Sequence, residues 1–493
     1  MATSTVADLA TVVSGEVVGD PAVAVSDATH DSRHAGPETL FIAVRGAQHD
    51  GHAFVEDAVR AGSPAVCVSE EVATNATRIV VSDTRSAMGP LSARIHDDPS
   101  LAVPVIGVTG TNGKTTVTHF AEAILGAAGR NPGLIGTVGS RVAGRVFPTV
   151  RTTPEATDFQ RLLAEMRDAG ADVIVTEVSS HALELGRVAG THFAVAAFTN
   201  LSQDHLDFHG DMERYGAAKR RLFTEYDLGT AVINVDDPYG RSLAEASSAP
   251  VTTVGRGGDL EATDIAYSAA STTFTLTVGG DSHQVTVPIL GEFNVANVVI
   301  AAGCCLAVGV DAGAVVDGMA ALRGVPGRFE LVSTGSRLRV FVDYAHTPDS
   351  IGAAIAAARA MGPRRVIALI GAGGDRDAAK RPEMGRAASA ADVVVVTSDN
   401  PRSEDPEAIA GAVESGLAQD VARLIDLDRR AAIEKAIAMA SPDDIVLLLG
   451  KGHETGQEIA GKVLPFDDRA VAGQILDDAE SHDPSPDSGS MDR

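Results

Sequence analysis

Basic residues are scarce in this sequence: 40 Lys and Arg stand against 66 Asp and Glu, a formal net charge of −26. Nucleic acids and anionic membranes are bound through Lys and Arg faces, which so acidic a chain does not offer. Anionic ligands must instead meet local clusters of Lys and Arg and turns of backbone N–H groups. Long apolar runs are missing too; none reaches the ~20 residues that a membrane span needs. Met1–Ala35 contains no lysine and its first arginine is Arg33, so the charged start of a secretory signal is not expected. Cysteine is confined to Cys67 and the adjacent Cys304 and Cys305. All three stand in apolar surroundings without ligand spacing, which reads as buried thiols in a reducing cytoplasm. No internal repeat is visible. The 493 residues give room for about three domains, each with its own core.

What is present is organised around Val105-Ile-Gly-Val-Thr-Gly-Thr-Asn-Gly-Lys-Thr-Thr116. A β-branched run enters a glycine-rich turn, and Lys-Thr-Thr then opens a helical pattern with Val117, Phe120, Ala121, Ile124 and Leu125 on one face and Gly129 at its end. Strand, loop and helix in that order make a phosphate cradle from backbone N–H groups and the helix N-terminus. Lys114 would reach the β/γ-phosphates and the Thr115 hydroxyl would hold Mg²⁺. The general P-loop pattern is shortened here, because Val108 stands where its first glycine would be.

Around this motif the chain alternates strands and helices. Before it, Thr39–Val44 and Ala65–Val68 read as strands with a helix near Ala53–Ala61 between them, and Thr29–Arg33 and Ala47–Gly51 as polar loops. His96-Asp-Asp-Pro99 reads as a linker. After the motif, Asp172–Val178, Phe193–Phe198 and Ala231–Val235 continue a parallel-sheet pattern, with Thr153-Pro154 as a helix start, Thr as N-cap and Pro at N1. Residues 259–289 alternate around Gly279-Gly280, a hairpin signal. A boundary falls near Gly324-Val-Pro-Gly-Arg328. Beyond it Arg339–Asp343, Val366–Ile370, Val393–Thr397 and Ile445–Leu449 are strands. Their carboxyl ends, where open α/β sheets bind ligands, lead into Gly373-Gly-Asp-Arg-Asp377, Asp399-Asn-Pro-Arg402 and Gly450-Lys-Gly-His-Glu454.

Thr109–Thr116, Glu177-Val-Ser-Ser-His181, Thr199-Asn-Leu-Ser-Gln-Asp-His-Leu-Asp207 and Asp343-Tyr-Ala-His-Thr-Pro348 together resemble the Mur ligases, ATP-dependent amide-forming enzymes of peptidoglycan precursor synthesis. Within that family they look like the members that add the third residue to UDP-N-acetylmuramoyl-L-alanyl-D-glutamate. The resemblance runs from about residue 25 to 470. It implies an α/β chain of three domains: a small α/β UDP-sugar domain over 1–99, a central P-loop-type parallel-sheet ATPase over 100–327, and a Rossmann-like amino-acid domain over 328–480, with a disordered tail at 481–493. It also implies a cytoplasmic monomer that uses small-molecule substrates.

The residues that the resemblance singles out follow the chemistry. Gly110, Thr111, Asn112, Gly113, Lys114, Thr115 and Thr116 would bind ATP, Asn294 and Asn297 match positions near the adenine, and Arg328 and Asp343 would add ATP contacts on domain closure. Thr115 and Glu177 would hold one Mg²⁺ and His205 a second, and Lys219 matches the family lysine that CO₂ carbamylates into a further ligand. Lys114, Glu177, His205 and Lys219 are therefore the expected catalytic set. UDP-sugar contacts map onto Ser32, Ala47, Gln48, His49, Thr152, Thr153, Ser179 and Arg187. Two departures from the family pattern touch them: Ala47-Gln48-His49 replaces the common His-Gln-Ala, and Leu185 stands where glutamine is common.

The amino acid would be chosen by Arg376, Asp399, Asn400, Pro401, Arg402, Gly450 and Glu454. Asp-Asn-Pro-Arg is the form associated with meso-diaminopimelate, whose far end carries a carboxylate that a guanidinium can hold bidentately. Asn400 and Glu454 could take the distal ammonium. A lysine-adding ligase stays open beside this. A folylpolyglutamate-synthetase-like enzyme fits Asp399–Arg402 and Lys451–Glu454 poorly, and a regulatory P-loop ATPase leaves the second βα series unexplained.

Overall fold

The computed structural model describes residues 3–46, 49–148, 151–268, 271–332 and 338–482. Ala47, Gln48 and the chain from 483 onward lie outside the described residues; the last helix, Asp468–His482, takes in the first two positions of the expected tail.

The strands expected from β-branched runs are present, most within a residue or two of their predicted ends. Near the N-terminus Glu16–Val18, Thr77–Val80, Ala65–Val68, Thr39–Ile42 and Asp27–Thr29 form a five-stranded sheet in that order, parallel except for its first pair. Thr39–Ile42 and Ala65–Val68 are buried at every position, as parallel strands covered on both faces must be.

The largest sheet has eleven strands. At its centre β1 (Val105–Thr109) lies parallel between β2 (Val173–Glu177) and β3 (Phe193–Phe198). β1 feeds helix α1 (Lys114–Ala127), and the chain then crosses to the two sides of β1 in turn. The crevice beyond the carboxyl end of β1 is thus the switch point of the sheet, where open α/β sheets bind ligands. Alternation along β1 sends Ile106 and Val108 into one apolar layer and Val105 into the other. The first layer also holds the predicted α1 face, Val117, Phe120, Ala121, Ile124 and Leu125, packed on helix α2 (Glu292–Ala307). Thr272–Val278 and Asp281–Val287 pair as the expected hairpin, and Gly279 and Gly280 supply the positive φ of 58° and 95° that its turn requires. Cys67, Cys304 and Cys305 are buried free thiols; burial pushes Cys67 and Cys304 up to about 12.

One helix start differs. The helix expected at Thr153-Pro154 begins at Ala156, with Glu155 at the N-cap. Thr153 is committed elsewhere: its hydroxyl donates to the Glu177 carbonyl at 2.8 Å and accepts from the Ser179 N–H at 3.2 Å. The stretch expected as a linker is ordered. His96 caps the helix Thr84–Ile95, Asp97 and Asp98 take left-handed conformations, and Pro99 opens a short helix.

The third sheet runs Glu330–Leu331, β4 (Arg339–Asp343), Ile445–Leu449, Val366–Ile370, Val393–Val396, Ala422–Ile425, parallel after its first pair. Arg429 is buried beneath it with Asp468. Its Nε and Nη2 donate to the two carboxylate oxygens at 2.8 and 2.5 Å, and Nη2 also reaches the Leu449 carbonyl at 3.1 Å. Both side chains are fully buried, so removing one partner strands a charge in the interior. Arg429→Ala should cost about 3–5 kcal/mol of stability, read as a lowered midpoint in chemical denaturation. An unchanged midpoint would show that Asp468 finds other compensation.

Candidate active site

The phosphate loop is held open by its neighbours. Gly110 and Gly113 have φ of 144° and 89°, conformations that favour glycine. A Cβ on Gly110 would collide with Thr199 Oγ1, which itself donates to the Asn112 carbonyl at 2.6 Å. Asn200 accepts from the Thr111 N–H through its backbone at 2.8 Å and from the Asn112 N–H through its side chain at 2.9 Å. α1 has no side-chain cap, so its leading N–H groups are left for an anion.

Two lysines converge under the loop. Lys114 Nζ donates to the Gly110 and Thr111 carbonyls at 3.0 and 2.8 Å, and Lys219 Nζ donates to the same Gly110 carbonyl at 2.8 Å. Lys219 comes from the helix Met212–Thr224, is buried, and lies 4.3 Å over the Tyr215 ring. Burial, and then the neighbouring Lys114, push its ammonium pKa well down. Burial lowers Lys114 as well, against the pull of Glu177 and Asp204. Asp204 is the carboxylate that answers this cluster. Lys380 approaches it at 3.3 Å and His346 at 3.8 Å, both from the third sheet's connections, with His205 at 3.4 Å. Burial would raise Asp204, but His346, His205 and Lys380 outweigh it and hold the carboxyl far below its usual range. His205 is left-handed (φ 55°), packs on His181, and is driven down to about 3 by burial.

Glu177 ends β2 beside the helix start. Thr115 Oγ1 donates to it at 3.0 Å, and Thr137 donates through its N–H at 2.7 Å and its hydroxyl at 3.1 Å. Arg328 Nη2 donates to Thr115 Oγ1 at 3.0 Å, which brings the chain after the second boundary onto the phosphate loop. A buried carboxylate and a threonine hydroxyl side by side are hard oxygen donors that suit Mg²⁺. Asp50, His52 and Glu70 also cluster, but His52 Nε2 accepts from the Ser69 N–H and Arg45 bridges both acids, so the trio is closed on itself.

A cavity of about 250 Å³ opens beside the loop, walled by Asn112, Asn200, Asn234 and Asn297 on one side and by Arg328, Asp343 and Tyr344 on the other. Arg328 stacks 4.4 Å over the Tyr344 ring. Asp343 accepts from the Phe329 and Ala345 N–H groups at 2.6 and 2.8 Å, and burial raises its pKa despite Arg328. Asn294 does not wall this cavity; it accepts from Asn297 at 3.4 Å and so steadies it.

The other expected residues fall in two groups. Thr152, Thr153, Ser179 and Arg187 gather beside Glu177 and Glu155: Thr152 meets Thr137 at 2.9 Å and Arg187 meets Glu155 at 3.0 Å. Ser32 and His49 sit on the first sheet's loops, and Ala47 and Gln48 are outside the described residues. A cavity of about 430 Å³ containing His30, Arg151, Glu155 and Arg161 lies where the first sheet's connections meet the second.

On the third sheet, Lys451 is fully buried and ties the expected amino-acid loops together. It donates to Asn400 Oδ1 at 3.0 Å and approaches Asp399 at 3.4 Å and Glu454 at 3.3 Å. Asn400 donates to Glu454 at 2.8 Å. Gly450 (φ 114°) has no room for a Cβ beside Asp399, and Pro401 precedes the left-handed Arg402 (φ 53°). Arg376 is exposed, and among the described residues its side chain donates only to the Asp375 carbonyl, at 3.1 Å.

Family models match most of the chain: the Mur ligase family catalytic domain over 25–97, the Mur ligase middle domain over 108–305, and the Mur ligase glutamate ligase domain over 327–452. The chain belongs to the Mur ligase family. The UDP-N-acetylmuramoyl-L-alanyl-D-glutamate–2,6-diaminopimelate ligase of Geobacillus thermodenitrificans is 44% identical over 453 residues, 90% of this chain and 93% of that protein. The ligase of the same name from Streptomyces avermitilis is 43% identical over 92% of each chain. A solved structure bearing that name superposes with a TM-score of 0.72 at 33% identity, covering 98% of this chain and 100% of the other. Mycobacterium tuberculosis folylpolyglutamate synthase, TM-score 0.61 at 22% identity over 82% of this chain and 96% of that one, shares the fold. Among the described residues no helix is long and apolar enough to cross a membrane.

Several polar groups of this Mur ligase escaped the sequence reading. Asp204 lies inside the quoted Thr199–Asp207 motif and Lys451 inside Gly450–Glu454, so both were in view without a role. Lys380 gave no signal, since its partner is 176 positions away. The loop geometry yields a test. Gly110→Ala combines a forbidden φ with the Thr199 collision, a strain of about 1–3 kcal/mol, and should abolish ATP turnover while circular dichroism stays native. Normal turnover would show that the loop can rearrange around a side chain.

Proposed function

We propose that this Mur ligase joins meso-2,6-diaminopimelate to the γ-carboxylate of D-glutamate in UDP-N-acetylmuramoyl-L-alanyl-D-glutamate, converting ATP to ADP and phosphate. The observation that supports this most is the cleft where the phosphate loop meets Arg328, Asp343 and Lys380 from the third segment, with identity above 40% to diaminopimelate ligases across that whole architecture. The domain reading is 1–99 for the UDP-sugar, 100–327 for ATP and 328–480 for the amino acid.

A carboxylate is a poor electrophile and repels ATP, so the site must first supply cations. Lys114 and the loop N–H groups take the β/γ-phosphates, and Arg328, Asp343 and Asn297 hold the rest of the nucleotide. The γ-phosphoryl group passes to the D-glutamate carboxylate, the incoming amine attacks the acyl phosphate, and inorganic phosphate leaves the tetrahedral intermediate. Closure of the third segment over the loop keeps water from the acyl phosphate. Mg²⁺ between Thr115 and Glu177, with a second near His205, would offset charge on the phosphate oxygens. Ser32, Ala47, Gln48, His49, Thr152, Thr153, Ser179 and Arg187 orient the UDP-sugar dipeptide. Arg376, Asp399, Asn400, Pro401, Arg402, Gly450 and Glu454 receive the amino acid. The enzyme works as a cytoplasmic monomer.

Lys219 fits the carbamate reading because addition to CO₂ needs an unprotonated amine, and its burial beside Lys114 favours that form. The amine nitrogen bonds to the CO₂ carbon and gives up one proton to solvent, and the product is an anionic oxygen ligand beside Lys114. Lys219→Ala should be nearly inactive and Lys219→Glu should keep more activity. Full activity in Lys219→Ala, assayed by phosphate release, would reduce this lysine to a structural cation.

The decisive assay is ATP-dependent ligation of an amino-acid panel onto the UDP-sugar dipeptide. Diaminopimelate should be preferred, and preference for lysine overturns the assignment. Arg402→Ala should lose about 30- to 4,000-fold with diaminopimelate, the 2–5 kcal/mol of a broken desolvated charge pair, and gain little with lysine because no acceptor for its ammonium is built.

A further inference from the structure

Arg402 is not free in this structure. Its Nη1 donates to the Gly374 carbonyl at 2.6 Å, and its Nε lies 3.2 Å from Glu458 Oε2. The backbones fix this pair. The Arg402 N–H donates to the Glu458 carbonyl at 3.0 Å, the Ala460 N–H donates to the Arg402 carbonyl at 2.7 Å, and Arg402 bridges Ile459 in the hairpin that follows Gly450–Glu454. The Glu458 N–H in turn donates to Asn400 Oδ1 at 2.9 Å. A surface ion pair between long side chains is usually loose; here both Cα atoms are locked in register, so an anionic and a cationic group stand side by side at a set spacing.

Two of the neighbouring acceptor atoms are already engaged. Asn400 Oδ1 accepts from Lys451 and from the Glu458 N–H, and Glu454 Oε2 accepts from Asn400 and Lys451. The Glu458 carboxylate meets only Arg402 among the described contacts and is 40% exposed. Arg402 Nη2 has no partner among those contacts.

We propose that Glu458 and Arg402 together form a receptor for a zwitterionic α-amino-acid end, Glu458 accepting its ammonium and Arg402 Nη2 donating to its carboxylate. The inference rests on the ligase reading above, and adds Glu458 as a specificity-determining residue. One carbon of diaminopimelate carries both charges, and the pair matches them with one group each. Lysine offers the ammonium alone and leaves the Arg402 charge facing it without an anion.

The test uses the full-length enzyme and two amino acids, meso-diaminopimelate and L-α-aminopimelate, which keeps the distal carboxylate and lacks the distal amine. Wild type should prefer diaminopimelate. Glu458→Gln should raise the diaminopimelate KM about ten-fold, the size of one charge-assisted hydrogen bond. The KM for aminopimelate, which has no ammonium to lose, should move far less, so the preference collapses. If Glu458 served only to dock the hairpin, the two KM values would rise together and the preference would survive; that result overturns the inference and leaves the ligase reading standing. An enzyme that ligates neither amino acid overturns both.

Discussion

The Gly110 carbonyl accepts from Lys114 and Lys219 at 3.0 and 2.8 Å. Two ammonium groups on one oxygen, buried from water, cannot both hold their protons at the usual cost: desolvation and mutual repulsion act in the same direction. The free site is therefore short of negative charge, and everything around it answers that shortage. Asp204 supplies one carboxylate and Glu177 another; loss of a proton from Lys219 would relieve the rest. Nucleotide phosphates arriving at the loop would bring the charge that the site lacks, which is how a chain with a net charge of −26 can still bind a polyanion.

The same shortage links the second and third segments. Asp204 is the point at which Lys380 and His346 join the loop that carries His205. Arg328, on Thr115, lies at the edge of the cavity beside the loop, so the third segment meets the phosphate loop through hydrogen bonds, while Leu290 and Phe293 pack against Phe329 alongside. Polar contacts of this kind can be exchanged for ligand contacts at modest cost, as a cleft that must admit ATP and release ADP requires.

Much of the framework was legible because it depends on local pattern. β-branched runs gave the strands, the 3.6-residue spacing after Lys114 gave α1 and its buried face, and Gly279-Gly280 gave a hairpin whose φ values only glycine takes readily. The errors fell where a side chain had a distant use. Thr153 looks like an N-cap beside Pro154, yet its hydroxyl is spent on Glu177 and Ser179 and the helix starts later, at Ala156. The pairing of Asp204 with Lys380 spans 176 positions and has no periodicity to betray it. Glu458 likewise reads as an ordinary polar residue of a hairpin until the backbone places it beside Arg402.

The division between the sheets has a consequence for specificity. The lysines, Glu177 and Asp204 hang from the switch point of the central sheet, where register is set by strands buried on both faces. Arg402, Asn400 and Glu454 hang from loops of the other sheet, cross-linked by Lys451. In the proposed reaction, a change at Asp399–Arg402 would alter what amine is presented without disturbing how the carboxylate is activated, because the two sets have no side chain in common. Lys451 sets the limit on that freedom. It is fully buried, and its ammonium needs the acceptors that Asp399, Asn400 and Glu454 provide. Substitutions in this loop that remove an acceptor therefore carry a folding cost, whereas Arg402 and Glu458, outside that buried knot, are the positions where the amine's far end can be read at least expense to the fold.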